Sequence, residues 1–329
     1  MWVCTPDRDR KLRGVRVVLD PDRLGERLTG TATALHLRWR GEDTGLRCRV
    51  AAYRATRRCV VRVSTVADGE IRRAYVKVFR RPVERSAVEA IARLAQSLEA
   101  GGRPTVVVPR ILDVMAEEHA VSWAGVPSGA EALTSSREDT EAAACVLARL
   151  HGTALRPTQR HVALDDVSTA DRWRRVVGWV SPDDGDRYGA LVDRLADRMK
   201  GLGDDGLTPV HRDFYHAQLL RTGDRLWLVD FDTMALGHPE VDVATLAAHV
   251  ILDRLAAGDA VASVLTCIGH LASAYRGAGG RLSSRRLGFY VPCALARLGA
   301  IHLPRPCPHE VVSALWALAD GHMSGAWRV

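Results

Sequence analysis

Residues 209–244 of the chain read PVHRDFYHAQLLRTGDRLWLVDFDTMALGHPEVDVA. Two apolar runs, Leu219-Leu220 and Leu226 to Val229, flank a Gly-Asp pair that is typical of tight turns. The stretch therefore predicts two short strands joined by a hairpin. Because Asp213 precedes the first strand and Asp230 follows the second, we expect the two carboxylates to lie at strand ends, one hairpin apart.

Two carboxylates placed in this way suit phosphoryl transfer. One of them can accept the proton of an attacking hydroxyl, and the other can hold the magnesium ion that neutralises the phosphates. We assign Asp213 the first role, as catalytic base, and Asp230 the second, as metal ligand. Gln218 offers an amide oxygen as a weaker second metal ligand. Asp232 is either a further ligand or a hydrogen-bond anchor.

The motif resembles the protein-kinase pattern H-R-D-x-x-x-x-N followed by D-F-G. His211-Arg212-Asp213 is followed after four residues by Gln218, and Asp230-Phe231-Asp232 lacks the final glycine. The continuation, Gly237 to Ala244, is similar to the aminoglycoside phosphotransferase and choline kinase-like family of small-molecule kinases. That family has H-G-D-x-x-x-x-N, then I-D-x-[DE], then roughly G-D-P-x-x-D-[LV]-A, and this chain keeps the order and the spacing.

Two residues depart from the family pattern. Gln218 stands where the family has a metal-binding Asn; its amide oxygen lies one methylene further out, so it can still reach a metal with looser geometry. Arg212 stands where the family has Gly, and we expect its role to be structural. We also expect His211 and Asp242 to brace the loop from behind, and the two residues Tyr215-His216 to face the entering substrate.

The resemblance implies an α+β, protein kinase-like bilobal fold, with a small antiparallel β lobe and a larger, mainly helical lobe. We divide the chain into an N-terminal lead segment (1–43), a nucleotide-binding small lobe (44–124) and a catalytic, substrate-binding helical lobe (125–329). The lead segment is hard to place, apart from a helix predicted for Pro21 to Leu28, because Asp20-Pro21 is a good helix start.

Strand patterns occupy the small lobe. Leu46 to Tyr53, Cys59 to Val66 and Ile71 to Phe79 read as three consecutive antiparallel strands, and Asp68-Gly69 is a hairpin turn signal. Two further strands are predicted downstream, at Pro109 to Ala116 and Ala120 to Trp123. A connector with Gly and Pro follows and is the expected hinge against which adenine would lie.

Lys77 lies in the third of these strands and is the expected ligand of the nucleotide phosphates. The chain uses lysine only at Lys11, Lys77 and Lys200 and arginine elsewhere, so a plain surface position would more often have been Arg. A compact ammonium suits the α- and β-phosphates better than the planar fork of Arg. Its expected partner is a glutamate of the next helix, Glu89 in preference to Glu84.

The loop Arg54 to Arg58 joins the first two strands and is expected to cover the phosphates. It contains no glycine. Arg57 and Arg58, or backbone N–H groups, are candidate phosphate ligands. The alternative, that both are plain surface arginines, is equally compatible with the sequence.

The composition bears on partners and location. The 46 basic and 39 acidic residues give a net charge of +7, but the arginines are scattered, whereas a nucleic-acid binder more often has a basic stripe with aromatics. Seven cysteines without CxxC spacing indicate reduced, mostly buried thiols. With neither a signal peptide nor a bilayer-spanning apolar run, we expect a cytoplasmic protein without nucleic-acid or membrane partners.

The resemblance implies an ATP-dependent phosphotransferase that uses Mg²⁺ and moves the γ-phosphate to a hydroxyl. MgATP would lie between the lobes. From Gly237 onwards six acidic residues stand against eight arginines, a poor match for a polycationic acceptor, although acids in 165–186 could supply negative charge locally. We therefore expect a neutral or anionic acceptor: a sugar, an amino alcohol or a Ser/Thr side chain of a peptide.

Other hypotheses remain. An aminoglycoside-type antibiotic resistance kinase is the named alternative. A catalytically silent pseudokinase, acting as a binding or scaffold protein, is favoured by Gln218 and the glycine-free loop and opposed by Lys77, Asp213 and Asp230 together. A protein kinase proper would need a longer activation segment than Asp230 to Val241. A zinc site is disfavoured, because the spacing of its candidate ligands fits no known pattern; these candidates are His302, Cys307 and His309.

Overall fold

The chain forms two units in the computed structural model, which describes residues 5–27, 46–67, 70–100 and 104–329. The first unit comprises Met1–Gln96 and Val107–Ala130, and the second comprises Ser97–Val106 and Glu131–Val329. The predicted turn at Asp68-Gly69 lies outside the described residues. So do residues 28–43 of the lead segment, which include Leu28, the predicted last residue of its helix.

The strands of the described residues form three sheets. In chain order they are β1 Arg47–Arg54, β2 Arg58–Ala67, β3 Glu70–Phe79, β4 Thr105–Val107, β5 Ile111–Met115, β6 Ala120–Ala124, β7 Glu131–Ala132, β8 Thr208–Val210, β9 Leu219–Thr222, β10 Arg225–Leu228 and β11 Ala235–Gly237. A five-stranded sheet has the order β1-β2-β3-β6-β5, a four-stranded sheet β4-β10-β9-β7, and a two-stranded sheet β11-β8.

The helices of the described residues are mostly in the second unit. They are α1 Val15–Val18, α2 Pro21–Arg27, α3 Arg85–Glu99, α4 Arg137–His151, α5 Ala163–Val180, α6 Pro182–Met199, α7 Glu240–Ala256, α8 Val261–Gly277, α9 Ser284–His302 and α10 His309–Ser324. Short 3₁₀ turns lie at Pro6–Arg8, His216–Gln218 and Phe231–Thr233. No helix of the described ranges is both long and apolar enough to cross a bilayer.

The five-stranded sheet of the first unit has two different faces. Side chains alternate between faces along a strand, so Ala74, Val76 and Val78 of β3 share one face, and all three are fully buried. Lys77 lies on the other face, directly opposite Val60 of β2. One face of β3 thus contributes side chains to the hydrophobic core, and the other face carries Lys77.

The N-terminal segment covers the apolar face of this sheet. Leu12, Val15, Val18 and Leu24 belong to the same buried cluster as the β2 and β3 residues of that face. The segment is therefore a structural part of the first unit. The sequence correctly indicates its helix at Pro21, but its packing partner depends on residues far away in the chain.

Helix α7 is the centre of the second unit. Every residue from Glu240 to Ala248 is buried, and the helix packs against α4, α8, α9 and α10. A helix that is apolar on all sides is typically enclosed by its neighbours. The two acidic residues in its first turn, Glu240 and Asp242, are buried with it, which makes them candidates for a specific role.

Most predicted elements are confirmed. The three small-lobe strands and the hairpin at 219–228 are present, and the chain from 137 onwards is mainly helical, as the resemblance implies. The strand predicted from Pro109 begins only at Ile111, and the short strands β4 and β7 were not predicted. All six described cysteines are free, and three of them are buried, namely Cys59, Cys267 and Cys293.

We expect Leu12→Ala to destabilise the protein by about 2–5 kcal/mol, because Leu12 is 1% exposed and its removal leaves a cavity over the sheet. Chemical denaturation would measure this change. Val66→Ala is the matched control, because Val66 is 69% exposed and its loss should cost less than about 0.5 kcal/mol. Equal stabilities of the two variants would contradict the packing of the N-terminal segment.

Candidate active site

The loop His211–Arg212–Asp213 follows β8 and is held from behind by one carboxylate. Asp242 Oδ2 accepts a hydrogen bond from His211 N at 2.7 Å, and Asp242 Oδ1 accepts one from Arg212 N at 2.6 Å. Asp242 is 0% exposed. The expected bracing by Asp242 is therefore present, and it acts on the backbone immediately before Asp213.

A buried chain of polar groups supports Asp242. His151 Nε2 lies 3.1 Å from Asp242 Oδ2, and His151 Nδ1 lies 2.7 Å from the hydroxyl of Tyr275. The Nε2–H of His151 donates to the Asp242 carboxylate, and the Tyr275 hydroxyl contacts the other ring nitrogen. Burial alone would raise the pKa of Asp242, but the hydrogen bond and charge of His151, with the contacts of His211, hold that pKa below its usual value.

Arg212 has a backbone conformation that favours glycine. Its φ is 71°, in the left-handed region, which costs a residue with a Cβ roughly 1 kcal/mol or more. This explains why the resembling family has Gly at this position. The two hydrogen bonds of the loop to Asp242 offset the cost here. A structural role of the Arg212 side chain stays a prediction.

Hydrogen bonds tie the loop to the segment that carries Asp230. His211 Nε2 donates to Val229 O at 2.9 Å, and Thr233 Oγ1 donates to His211 O at 2.7 Å. Asp230 itself follows β10 with a φ of 67°. The turn between β10 and the 3₁₀ helix Phe231–Thr233 therefore lies beside His211. Two hydrogen bonds, from His211 to Val229 and from Thr233 to His211, join the segments that carry Asp213 and Asp230.

Gln218 belongs to the same assembly. Its backbone carbonyl oxygen accepts a hydrogen bond from Val229 N at 3.0 Å, and its backbone N–H donates to Tyr215 O at 2.9 Å. The residue is 7% exposed. The backbone of this buried residue therefore connects the turn ahead of β9 to the end of β10. Gln218 and Asp232 as metal ligands stay predictions.

Residues beyond Asp213 contact helix α7. Tyr215 stacks on His249, with ring centroids 4.3 Å apart and an interplanar angle of 18°. His216 Nε2 pairs with Asp253 Oδ2 at 2.8 Å. Burial and the charge of Arg297 lower the pKa of His249 to about 3, so its ring is neutral. Sequence reasoning missed the pair His249 and Asp253, although their spacing of four on a predicted helix was a usable signal.

The first unit supplies the other predicted residues. Lys77 and Arg58 lie on the same face of the sheet, because Arg58 is opposite Phe79, two residues from Lys77. Arg57 is exposed in the turn between β1 and β2. The Glu89 carboxylate pairs with Arg85 at 3.0 Å and is 54% exposed. The pairing of Glu89 with Lys77 therefore stays a prediction.

Asp9 of the N-terminal segment holds the turn that was expected to cover the phosphates. Asp9 Oδ2 accepts from Thr56 N at 2.6 Å and from the Tyr53 hydroxyl at 2.9 Å. Burial opposes ionisation of Asp9, but these bonds and that of Lys11 N lower its pKa. Thr56 has a φ of 61°. The carboxylate of Asp9 thus fixes the glycine-free turn between β1 and β2. The sequence did not predict this contact.

In the described part of the chain, no cluster of three or more His, Cys, Asp and Glu side chains is found that could hold a metal ion by itself. Of the candidate zinc ligands, His309 pairs through Nε2 with Asp184 Oδ2 at 2.7 Å.

Several solved structures of similar fold are kinases or members of kinase families. A choline/ethanolamine kinase family protein from Mesorhizobium loti has 16% identity and a TM-score of 0.53, with 94% of this chain and 93% of that chain covered. The amicoumacin kinase hAmiN, in complex with AMP-PNP, Ca²⁺ and Ami, has 11% identity and a TM-score of 0.59, with 94% and 97% covered. A glucosamine kinase has 23% identity and a TM-score of 0.54, with 88% and 84% covered.

At these identities the structures establish the fold alone, and they confirm the predicted protein kinase-like fold with its small antiparallel sheet and larger helical part. None of the curated proteins matches the sequence. The sequence profile of the phosphotransferase enzyme family matches residues 58–267, more than half of the chain, and this range includes Asp213, Gln218 and Asp230. The chain therefore belongs to the phosphotransferase enzyme family.

Proposed function

We propose that the protein transfers the γ-phosphate of ATP to a hydroxyl group of a small molecule. The observation that carries this proposal is the fixed loop: Asp242 holds the backbone just ahead of Asp213 through N–H···O contacts of 2.6 and 2.7 Å. Hydrogen bonds also join this loop to the segment that carries Asp230. Such rigidity supports phosphoryl transfer, where catalysis comes mainly from positioning and electrostatic stabilisation.

The residues of the second unit take separate roles in this proposal. Asp213 orients the acceptor hydroxyl and takes its proton, an effect typically worth roughly 10²–10⁴-fold in rate. The carboxylates of Asp230 and Asp232 and the amide oxygen of Gln218 are hard oxygen donors of the kind that Mg²⁺ prefers, so the donor set fits this ion. When bound, Mg²⁺ supplies positive charge against the phosphates.

The residues of the first unit are proposed to bind nucleotide. Lys77 is the ligand of the α- and β-phosphates, and its position on the face away from the N-terminal segment supports this role. Arg58 shares that face, and Arg57 lies in the neighbouring exposed turn. Both are proposed as phosphate contacts. Glu89, paired with Arg85, is a candidate only for a rearranged state.

The charge distribution favours a neutral or anionic acceptor. Of the six acidic residues from Gly237 onwards, two are buried in α7 and three are paired with a cationic or histidine side chain; the buried ones are Glu240 and Asp242, and the paired ones are Asp253, Asp259 and Asp320. Few carboxylates in this part of the chain are therefore available to bind a polycationic acceptor. A sugar, an amino alcohol or a Ser/Thr side chain of a peptide fits better than an aminoglycoside.

A mass-spectrometric screen for phosphate gain tests the function. The protein would be incubated with MgATP and a panel of sugars, amino sugars, amino alcohols, aminoglycosides and Ser/Thr peptides. A product that disappears with Asp213→Asn would support the proposal and name the acceptor class. Efficient phosphorylation of aminoglycosides alone would favour the resistance kinase. Absence of both product and nucleotide binding would favour the pseudokinase.

Asp213→Asn should reduce kcat by about 10²–10⁴-fold with little change in stability, because it removes the proton acceptor and keeps the side-chain shape. Steady-state kinetics with the identified acceptor would measure this. Asp224→Asn, in the exposed turn between β9 and β10, is the matched control and should retain full activity. A fully active Asp213→Asn would contradict the assignment of the base.

Asp242→Asn should lower the free energy of unfolding by about 2–4 kcal/mol and kcat at least tenfold, because it weakens two charge-assisted hydrogen bonds to the loop. Asp259→Asn, which affects only the part-exposed pair with Arg254, should cost about 0–1 kcal/mol. Denaturation and kinetics measure the two effects. Equal behaviour of the two variants would show that the loop does not depend on Asp242.

The pH dependence follows from the same residue. Because the folded-state pKa of Asp242 lies below the usual value, its contribution to stability is present above the unfolded pKa of about 3.9 and is lost as the pH falls below that value. Asp242→Asn should therefore lose less stability than the wild type on acidification below about pH 4.

A further inference from the structure

The second unit contains a cavity of about 500 Å³ that the proposed catalytic residues do not line. Its wall is formed where four helices meet: the C-terminal ends of α4 and α8 and the N-terminal ends of α7 and α9. Asp213, Gln218 and Asp230 are not among the described residues around it. Its volume lies within the range typical of small-molecule sites, roughly 300–1,000 Å³.

One oxygen of a buried carboxyl group in the cavity wall has no hydrogen-bond partner within the described ranges. Glu240 is 1% exposed, and its Oε1 accepts from Ser283 N at 2.6 Å. Oε2 has no hydrogen-bond partner within the described ranges. Burial raises the pKa of Glu240, and a buried acceptor without a partner costs about 1–3 kcal/mol. A ligand with an N–H or O–H donor at the inner end of the cavity would remove this cost.

A positively charged residue also lines this cavity. Arg281 lines it and is exposed, and it has no ion-pair partner among the residues that the structure describes. The neighbouring Arg286, in contrast, is engaged, because its guanidinium donates to Asp205 Oδ1 at 2.6 Å and Asp205 O at 2.8 Å. Arg281 is therefore the cation available to an acidic group of a ligand.

The cavity is connected to the catalytic loop by hydrogen bonds. Tyr275 and His151 both line it. The Tyr275 hydroxyl contacts His151 Nδ1 at 2.7 Å, His151 Nε2 contacts Asp242 at 3.1 Å, and Asp242 holds the backbone of His211 and Arg212. A ligand that fills this cavity lies against Tyr275 and His151 and would thus act on the carboxylate that fixes the loop.

We propose that this cavity is a second small-molecule site, which takes a compound with a primary ammonium and an acidic group and couples its binding to the catalytic loop. The ammonium donates to Glu240 Oε2, and the acidic group pairs with Arg281. The chemistry corresponds to an amino acid or a similar zwitterion. The site goes beyond the proposed phosphoryl transfer and does not depend on it.

Calorimetric titration of the full chain tests the site without any phosphoryl transfer. The probes are glycine, β-alanine and 4-aminobutyrate, and propylamine and propionate carry only one of the two charges. We expect at least one zwitterion to bind about tenfold more tightly than either singly charged compound, a difference of about 1.4 kcal/mol. Binding of none of the three zwitterions would overturn the proposal.

Two variants test the assigned contacts. Glu240→Gln keeps an oxygen for Ser283 N, and Arg281→Gln removes the exposed cation. Each should weaken zwitterion binding about tenfold or more. Arg276→Gln is the matched control, because Arg276 is exposed near the end of α8 and does not line the cavity. Wild-type affinity in both Glu240→Gln and Arg281→Gln would overturn the assignment.

Hydrogen–deuterium exchange of residues 209–216 tests the coupling. A saturating zwitterion should change the exchange of this segment in the wild type but not in Tyr275→Phe, which retains the ring and removes the hydroxyl that contacts His151. An unchanged segment in the wild type despite measured binding would overturn the coupling.

Discussion

The hydrogen bonds from His211 N and Arg212 N to the Asp242 carboxylate are the interaction on which the second unit depends most. A carboxylate that is 0% exposed is costly to bury, by several kcal/mol, unless it is fully paired. Asp242 meets this condition with two backbone N–H groups and His151. The contacts are short and charge-assisted, which makes them roughly twice as strong as neutral ones.

The same carboxylate explains the local backbone. Arg212 keeps a left-handed φ of 71° although it carries a side chain, because its N–H and that of His211 must both point at Asp242. The His211 ring in turn donates a hydrogen bond to Val229 O, and the Thr233 hydroxyl donates one to His211 O. One buried charge on a central helix thus orders the loop, and the loop orders the segment after β10. The geometry of the proposed site therefore follows from the core rather than from the surface.

Much of this could be predicted from the sequence. The hairpin at 219–228 has apolar runs around a Gly-Asp turn, and the helices from 137 onwards have clear periodicity and caps such as Ser136. Family membership was predicted from the motifs at 211–244. These signals are local, or they are encoded in short spacings, so one sequence suffices to recognise them.

The rest depends on contacts between distant residues. Asp9 reaches Thr56 across 47 positions, and the N-terminal segment gains its place only from the sheet face it covers. Strands β4 and β7 have three and two residues, and pairing with β10 and β9 alone defines them. The stacking of Tyr215 on His249, 34 positions apart, likewise carries no distinctive sequence signal.

Amide hydrogen exchange of His211 and Arg212, resolved by NMR, tests the central role of Asp242 most directly. If both N–H groups are held by a fully buried carboxylate, they should be among the slowest-exchanging loop amides, and Asp242→Asn should accelerate them strongly. Exchange in the wild type at the rate of an exposed loop would contradict the account, because the segment ahead of Asp213 would then not be fixed by α7.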